Sequence, residues 1–161
     1  MRRFKVLFVC TGNTCRSPMA EGAMRALLEG RNVETIEVGS AGTAAMPGSP
    51  ATQYAMEAVK TWHADISSHR SRPLSREHLE ESDLVLAMTP AHYRDIVTIC
   101  PEARGKTFLL KKFPDPGDDG DGVADPIGGS LDMYNQTFLE IGEELGRILP
   151  DIVRLSEKKG Q

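Results

Sequence analysis

The sequence predicts an α/β domain built on a mainly parallel sheet, and three observations carry that prediction. Short apolar runs that suit strands alternate with longer segments of helical periodicity. The strand runs are continuous rather than alternating, which is the pattern of strands buried on both faces. A chain of 161 residues matches one domain with a full core, so residues 1–161 are read as one unit whose last few residues fray.

The first strand is KVLFVC, residues 5–10. In the helix that follows, Ser17 is the expected N-cap, Pro18 the first helical residue and Glu21 a first-turn acid. Its apolar stripe includes Met19, Ala23, Ala26 and Leu27, and Gly30 stops it. TIEVGS (35–40) is the second strand, and residues 50–62 form a helix with Ala51, Ala55, Ala58, Val59 and Trp62 inward. DLVLAM (83–88) is the third strand, AHYRDIVTI the helix behind it, and KTFLL (106–110) the fourth strand. The last helix carries Tyr134, Phe138, Ile141, Leu145, Ile148, Ile152 and Leu155 as one apolar stripe, with Pro150 expected to kink or restart it. Ligands of such a sheet gather beyond the carboxyl ends of its strands.

Bulk properties narrow the function. A net charge of -4 speaks against nucleic acid or an anionic membrane as the main partner. Three cysteines at irregular spacing make no disulfide framework, which points to a reducing cytoplasmic setting. The basic MRRF start is followed only by VLFV before Cys10, too short for a signal-peptide core. No run approaches the roughly 18 apolar residues of a membrane span. A monomer is expected.

The chemistry lies in VCTGNTCRSP, residues 9–18. A loop between a strand and a helix points successive N–H groups into a concavity that favours an anion, phosphate above all. Gly12 is expected to let the backbone turn without a Cβ clash, and Thr11, Asn13, Thr14 and Cys15 complete the cradle. Arg16 adds a planar fork that holds two phosphate oxygens and stabilises charge on equatorial oxygens. Cys10 lies at the base, where the dipoles and Arg16 are expected to lower its thiol pKa. A thiolate there is placed for in-line attack on phosphorus, with Ser17 donating a hydrogen bond to the sulfur.

Rival readings fit less well. A Walker A loop lacks its second glycine and its Lys-Ser/Thr pair. A zinc site through Cys10 and Cys15 lacks two well-spaced further ligands. Asp118, Asp119 and Asp121 miss the EF-hand spacing and read as a solvated acidic loop. Arg70, Arg72 and Arg76 read as a solvated basic face. No metal or cofactor is called for. The acid that protonates the leaving group lies in one of two Asp-Pro pairs, at Asp115 or Asp125, and composition does not choose between them.

VCTGNTCRSPMAE resembles the active-site signature of the low-molecular-weight protein tyrosine phosphatases, and the likeness runs on through VGSAGT, HRSRPL, SDLVLAM and DPIGGSLDMY. It covers nearly the whole chain in order. The resemblance implies a four-stranded parallel sheet flanked by helices, Cys10 as nucleophile, Arg16 as clamp and Ser17 as the partner of the thiolate. It implies that Asn13 shapes the loop through Ser40 and His69, and that Asp125 is the acid. It also implies a reversible Cys10–Cys15 disulfide under oxidation.

The family acts on phosphorylated proteins. Thr11 and DPIGGS resemble its bacterial protein-arginine phosphatase branch, which implies a preference for phosphoarginine, with Thr11 deciding it and Asp125 facing the guanidinium. Phosphotyrosine is the alternative, with Met46 at the rim. An arsenate reductase would need further cysteines near residues 80–90, and an inactive binding module would not need Cys10, Arg16 and Asp125 together.

Overall fold

Seven consecutive residues, Phe4–Cys10, form β1, and all except Lys5 are buried. Their side chains divide between two cores, Phe4, Val6, Phe8 and Cys10 on one face and Leu7 and Val9 on the other. A strand used on both faces has to be apolar throughout. The computed structural model describes residues 2–159. In it β1 pairs with β2 (Ile36–Gly42) on one side and β3 (Leu84–Ala87) on the other, and β4 (Thr107–Leu109) lies outside β3. Every pairing is parallel, and the order is β2-β1-β3-β4.

Helices α1 (Arg16–Gly30), α2 (Gln53–Val59) and α5 (Leu131–Lys159) cover one face, and α3 (Arg76–Glu81) and α4 (Pro90–Ile99) cover the other. After β1 the chain steps to one side for β2 and later to the opposite side for β3. That reversal leaves a crevice at the carboxyl end of β1, where Cys10 is the last strand residue. No helix among the described residues is long and apolar enough to cross a membrane.

The four strands and four main helices fall where the sequence places them, with differences of physical interest. Residues 50–52 stay outside α2 because the Thr52 hydroxyl caps it, accepting from Ala55 N. A 3-10 turn, Lys60–Trp62, then carries Trp62 onto Phe138, edge to face at 5.3 Å. The short α3 is not apparent from periodicity; it is held by a reciprocal Ser75–His78 cap. Pro150 does not restart α5, which is unbroken to Lys159. Both Pro150 and Gly146, whose carbonyl the proline leaves without its helical donor, are exposed, so the lost bond lies on the solvent side of the helix. The apolar stripe ends before Leu155, which is exposed. The helix reaches the expected frayed tail, of which Gly160 and Gln161 lie outside the described residues.

Candidate active site

Residues 11–15 join β1 to α1, and their carbonyls are turned outward. Those of Cys10, Thr11 and Thr14 accept from the N–H groups of Thr43 (2.8 Å), Ala44 (2.9 Å) and Thr52 (3.0 Å). The Asn13 carbonyl bonds His69 Nε2 at 2.7 Å. By contrast, the N–H groups of Gly12–Cys15 find no backbone acceptor among the described residues. A loop with bonded carbonyls and free N–H groups at a helix amino terminus is an anion cradle.

Asn13 holds that shape. It is fully buried and adopts φ 58°, a left-handed conformation that asparagine tolerates better than most residues. Its amide donates to Ser17 Oγ (2.7 Å) and Ser40 Oγ (3.0 Å), and its Oδ1 accepts from Arg72 N at 2.9 Å. Ser40 in turn donates to Glu21 Oε1 at 2.6 Å. The Ser40 and His69 contacts implied by the family resemblance are thus present, while Glu21 and the Arg72 backbone join the network unannounced. The turn needs its glycine at position 42 rather than 12. A Cβ on Gly12 would meet only Thr14 Oγ1 at 3.6 Å, whereas one on Gly42 would come within 2.3 Å of the Thr11 carbonyl.

Cys10 lies beneath the loop, 2 % exposed, with Ser17 Oγ 2.9 Å from its Sγ. Ser17 is therefore not the helix cap. Cys15 occupies that position without a side-chain cap bond, which frees Ser17 to turn toward the sulfur. Burial pushes the Cys10 thiol pKa up, opposite to the direction expected from sequence. Hydrogen bonds from Ser17, the charge of Arg16 and the Asn13 N–H all pull against burial.

Arg16 is 4 % exposed, and its Nη1 donates to the Val123 carbonyl at 2.9 Å. Its one carboxylate partner among the described residues is Asp125, 3.5 Å away and 40 % exposed. The guanidinium is thus buried with a single, half-solvated carboxylate as its ion-pair partner among the described residues. Asp125 Oδ1 accepts from Ile127 N at 3.1 Å, a turn that aims Oδ2 at the arginine. Asp115, the other Asp-Pro aspartate, makes no hydrogen bond or ion pair with the loop among the described residues.

Further side chains complete the surroundings. The hydroxyl of Thr11, a residue that is itself exposed, lies 2.7 Å from His92 Nε2 and 3.3 Å from Arg16 Nη2. Burial and Arg16 hold His92 down at a pKa of about 4, so it is neutral. Among the described residues the one hydrogen-bond partner of Thr14 Oγ1 is Cys15 Sγ, at 3.8 Å. Cys15 and Cys10 are free thiols, and Cys15 Sγ lies 3.3 Å from the Tyr134 hydroxyl, whose pKa burial pushes up to about 12. Arg70 is exposed and Arg76 pairs with Glu80 and Glu102 at the surface, both at 2.9 Å, while Arg72 Nε binds the Ser40 carbonyl at 2.8 Å and braces β2. Met46 is exposed, with its carbonyl bonded by Ser71.

Residues 5–159 match the family model described as low molecular weight phosphotyrosine protein phosphatase. The chain belongs to that family. It is accordingly a protein phosphatase, a hydrolase. Among relatives, a protein-arginine-phosphatase of Geobacillus stearothermophilus is 44% identical over 145 residues, spanning 90% of this chain and 93% of its own. A low molecular weight protein tyrosine phosphatase from T. tengcongensis superposes with a TM-score of 0.85 at 40% identity, covering 92% of this chain and 99% of that one. YwlE arginine phosphatase, in a mutant with a phosphorylated active site serine, superposes with a TM-score of 0.83 at 41% identity, covering 92% and 95%. A phosphate carried on the active-site side chain of that phosphatase matches a mechanism through a phosphorylated cysteine.

Proposed function

We propose that this phosphatase removes phosphate from phosphoarginine on proteins, with Cys10 as nucleophile and Asp125 as acid. The observation that carries the reading is the half-exposed Asp125 carboxylate beside Arg16, in a segment, Ala124–Ser130, with no aromatic side chain. A carboxylate there complements a guanidinium leaving group, and the relatives named protein-arginine-phosphatase support the same substrate. In the first step Cys10 Sγ forms a bond to phosphorus as the P–N bond breaks, and Asp125 gives its proton to the departing nitrogen. Water then attacks phosphorus, Asp125 takes its proton, and the sulfur leaves as a thiolate stabilised by Ser17. The loop N–H groups and Arg16 hold the equatorial oxygens throughout.

Thr11 has its hydroxyl engaged by His92 and Arg16, so we assign the choice of substrate to Thr14, whose hydroxyl makes only a long contact to Cys15 Sγ among the described residues. Phosphotyrosine remains the second substrate, favoured by Tyr54, an exposed ring packed edge-on at 5.6 Å against Tyr134. The test is kcat/KM on phosphoarginine and phosphotyrosine peptides. A ratio of about 10 or more for phosphoarginine is expected, falling in Thr14→Ile and unchanged in Thr11→Val. A wild-type ratio below one would refute the substrate assignment.

A further inference from the structure

We propose that His92 is a positioning residue for the phosphate clamp: its imidazole fixes the Thr11 hydroxyl, and Thr11 seats the guanidinium of Arg16. The proposal rests on the reading of the Cys10–Arg16 loop as the phosphoryl site. His92 comes from the first turn of α4, on the sheet face opposite α1, and is 4 % exposed. Both ring nitrogens are bonded, Nδ1 to Thr89 Oγ1 at 3.0 Å and Nε2 to Thr11 Oγ1 at 2.7 Å.

The direction of these bonds follows from counting hydrogens. Thr89 Oγ1 already accepts the His92 N–H at 3.3 Å as the helix cap, and its own hydrogen has no acceptor among the described residues except Nδ1. With Thr89 as the donor to Nδ1, we assign the ring proton to Nε2, which makes His92 the donor to Thr11. Thr11 Oγ1 then accepts twice, from His92 and from Arg16 Nη2, and keeps only its O–H to give. A lone donor at the mouth of the cradle suits a phosphoryl oxygen. It does not suit the bridging N–H of phosphoarginine, which is itself a donor. Thr11 therefore recognises the group that phosphoarginine and phosphotyrosine share. The neutral ring is essential, since an imidazolium would face Arg16 across one threonine hydroxyl.

A double-mutant cycle on the intact chain tests this. We expect His92→Ala and Thr11→Val each to lower kcat/KM on para-nitrophenyl phosphate about tenfold and to raise the inhibition constant of inorganic phosphate. The double variant is expected to be no worse than either single one, and His92→Gln, which keeps a side-chain N–H, to recover most of the loss. Losses on phosphoarginine and phosphotyrosine peptides are expected to be equal. Independent of any variant, the ring ¹⁵N shifts of wild-type His92 are expected to show the Nε2-protonated tautomer at pH 7.

Multiplicative losses in the cycle, an unchanged phosphate inhibition constant or an Nδ1-protonated ring would each overturn the proposal. A wild type without turnover that Cys10→Ser abolishes would overturn the phosphoryl-site reading itself.

Discussion

Replacing Asp125 by asparagine separates the two roles given to that carboxylate. Asparagine keeps an Oδ1 acceptor for Ile127 N, now at 3.1 Å, so the turn that aims the side chain survives. What is lost is the proton and the charge facing Arg16. The pair is 3.5 Å apart and the aspartate is 40 % exposed, so its Coulomb contribution is screened to about 1 kcal/mol or less. Loss of the pairing alone changes KM by roughly fivefold at most. Loss of a general acid costs about 100-fold or more in rate. The expected result is therefore a fall in kcat of at least about 100-fold with KM nearly constant, and a larger fall on phosphotyrosine than on para-nitrophenyl phosphate, whose leaving group needs a proton less. The assay is steady-state kinetics on both substrates with Asp115→Asn as the control. A loss confined to KM, or an equal loss in Asp115→Asn, would refute the assignment of Asp125.

Ser17→Ala removes a hydrogen bond that favours the Cys10 thiolate, so the thiol pKa rises further and alkylation by iodoacetamide at pH 7 slows several-fold. Asn13→Ala leaves the Ser17, Ser40 and Arg72 contacts unmade and puts alanine at φ 58°, for an expected loss of about 3–4 kcal/mol in urea unfolding. His92, ordinarily near 6.5, is held at about 4 in the fold by burial and Arg16 against the opposing charge of Asp125, so the unfolded chain binds the extra proton first. Stability then falls as pH drops from about 6.5 to about 4, and that part of the slope disappears in His92→Gln. Mild peroxide is expected to join Cys10 to Cys15, read as a disulfide by peptide mapping; a free Cys15 beside sulfinylated Cys10 would count against it.

The sheet was legible, and the Cys10–Arg16 loop recognisable as an anion cradle, because their determinants are local. A short apolar run such as Val6–Cys10 suits a strand buried on both faces. The separation of Cys10 from Arg16 is set by the length of one turn, so the spacing alone puts sulfur and guanidinium on one cradle. Local rules failed where two structures share a pattern. Ser17-Pro18 reads equally well as a helix start and as a first turn with its serine turned inward, and only the Cys10 contact separates them. The thiol pKa was misjudged for a similar reason: loop dipoles are readable in sequence, but the depth of burial that outweighs them is not.

What stayed hidden lies across the sheet. His92 is 81 residues from Thr11, and the Arg72 N–H is 59 residues from Asn13. Neither contact leaves a trace in periodicity or spacing, yet both decide what the loop can offer a ligand. Thr11 shows the consequence. Beside a reactive cysteine a free threonine hydroxyl reads as a substrate contact, and the sequence gives no reason to think it engaged. Once α4 brings His92 against it, the same hydroxyl becomes part of the mount for Arg16. The proposed discriminating residue is therefore Thr14, three residues along, whose hydroxyl has only the long 3.8 Å contact to Cys15 Sγ among the described residues. The motif thus carries the proposed reaction, while contacts from residues remote in sequence set which of its side chains are left to meet a leaving group.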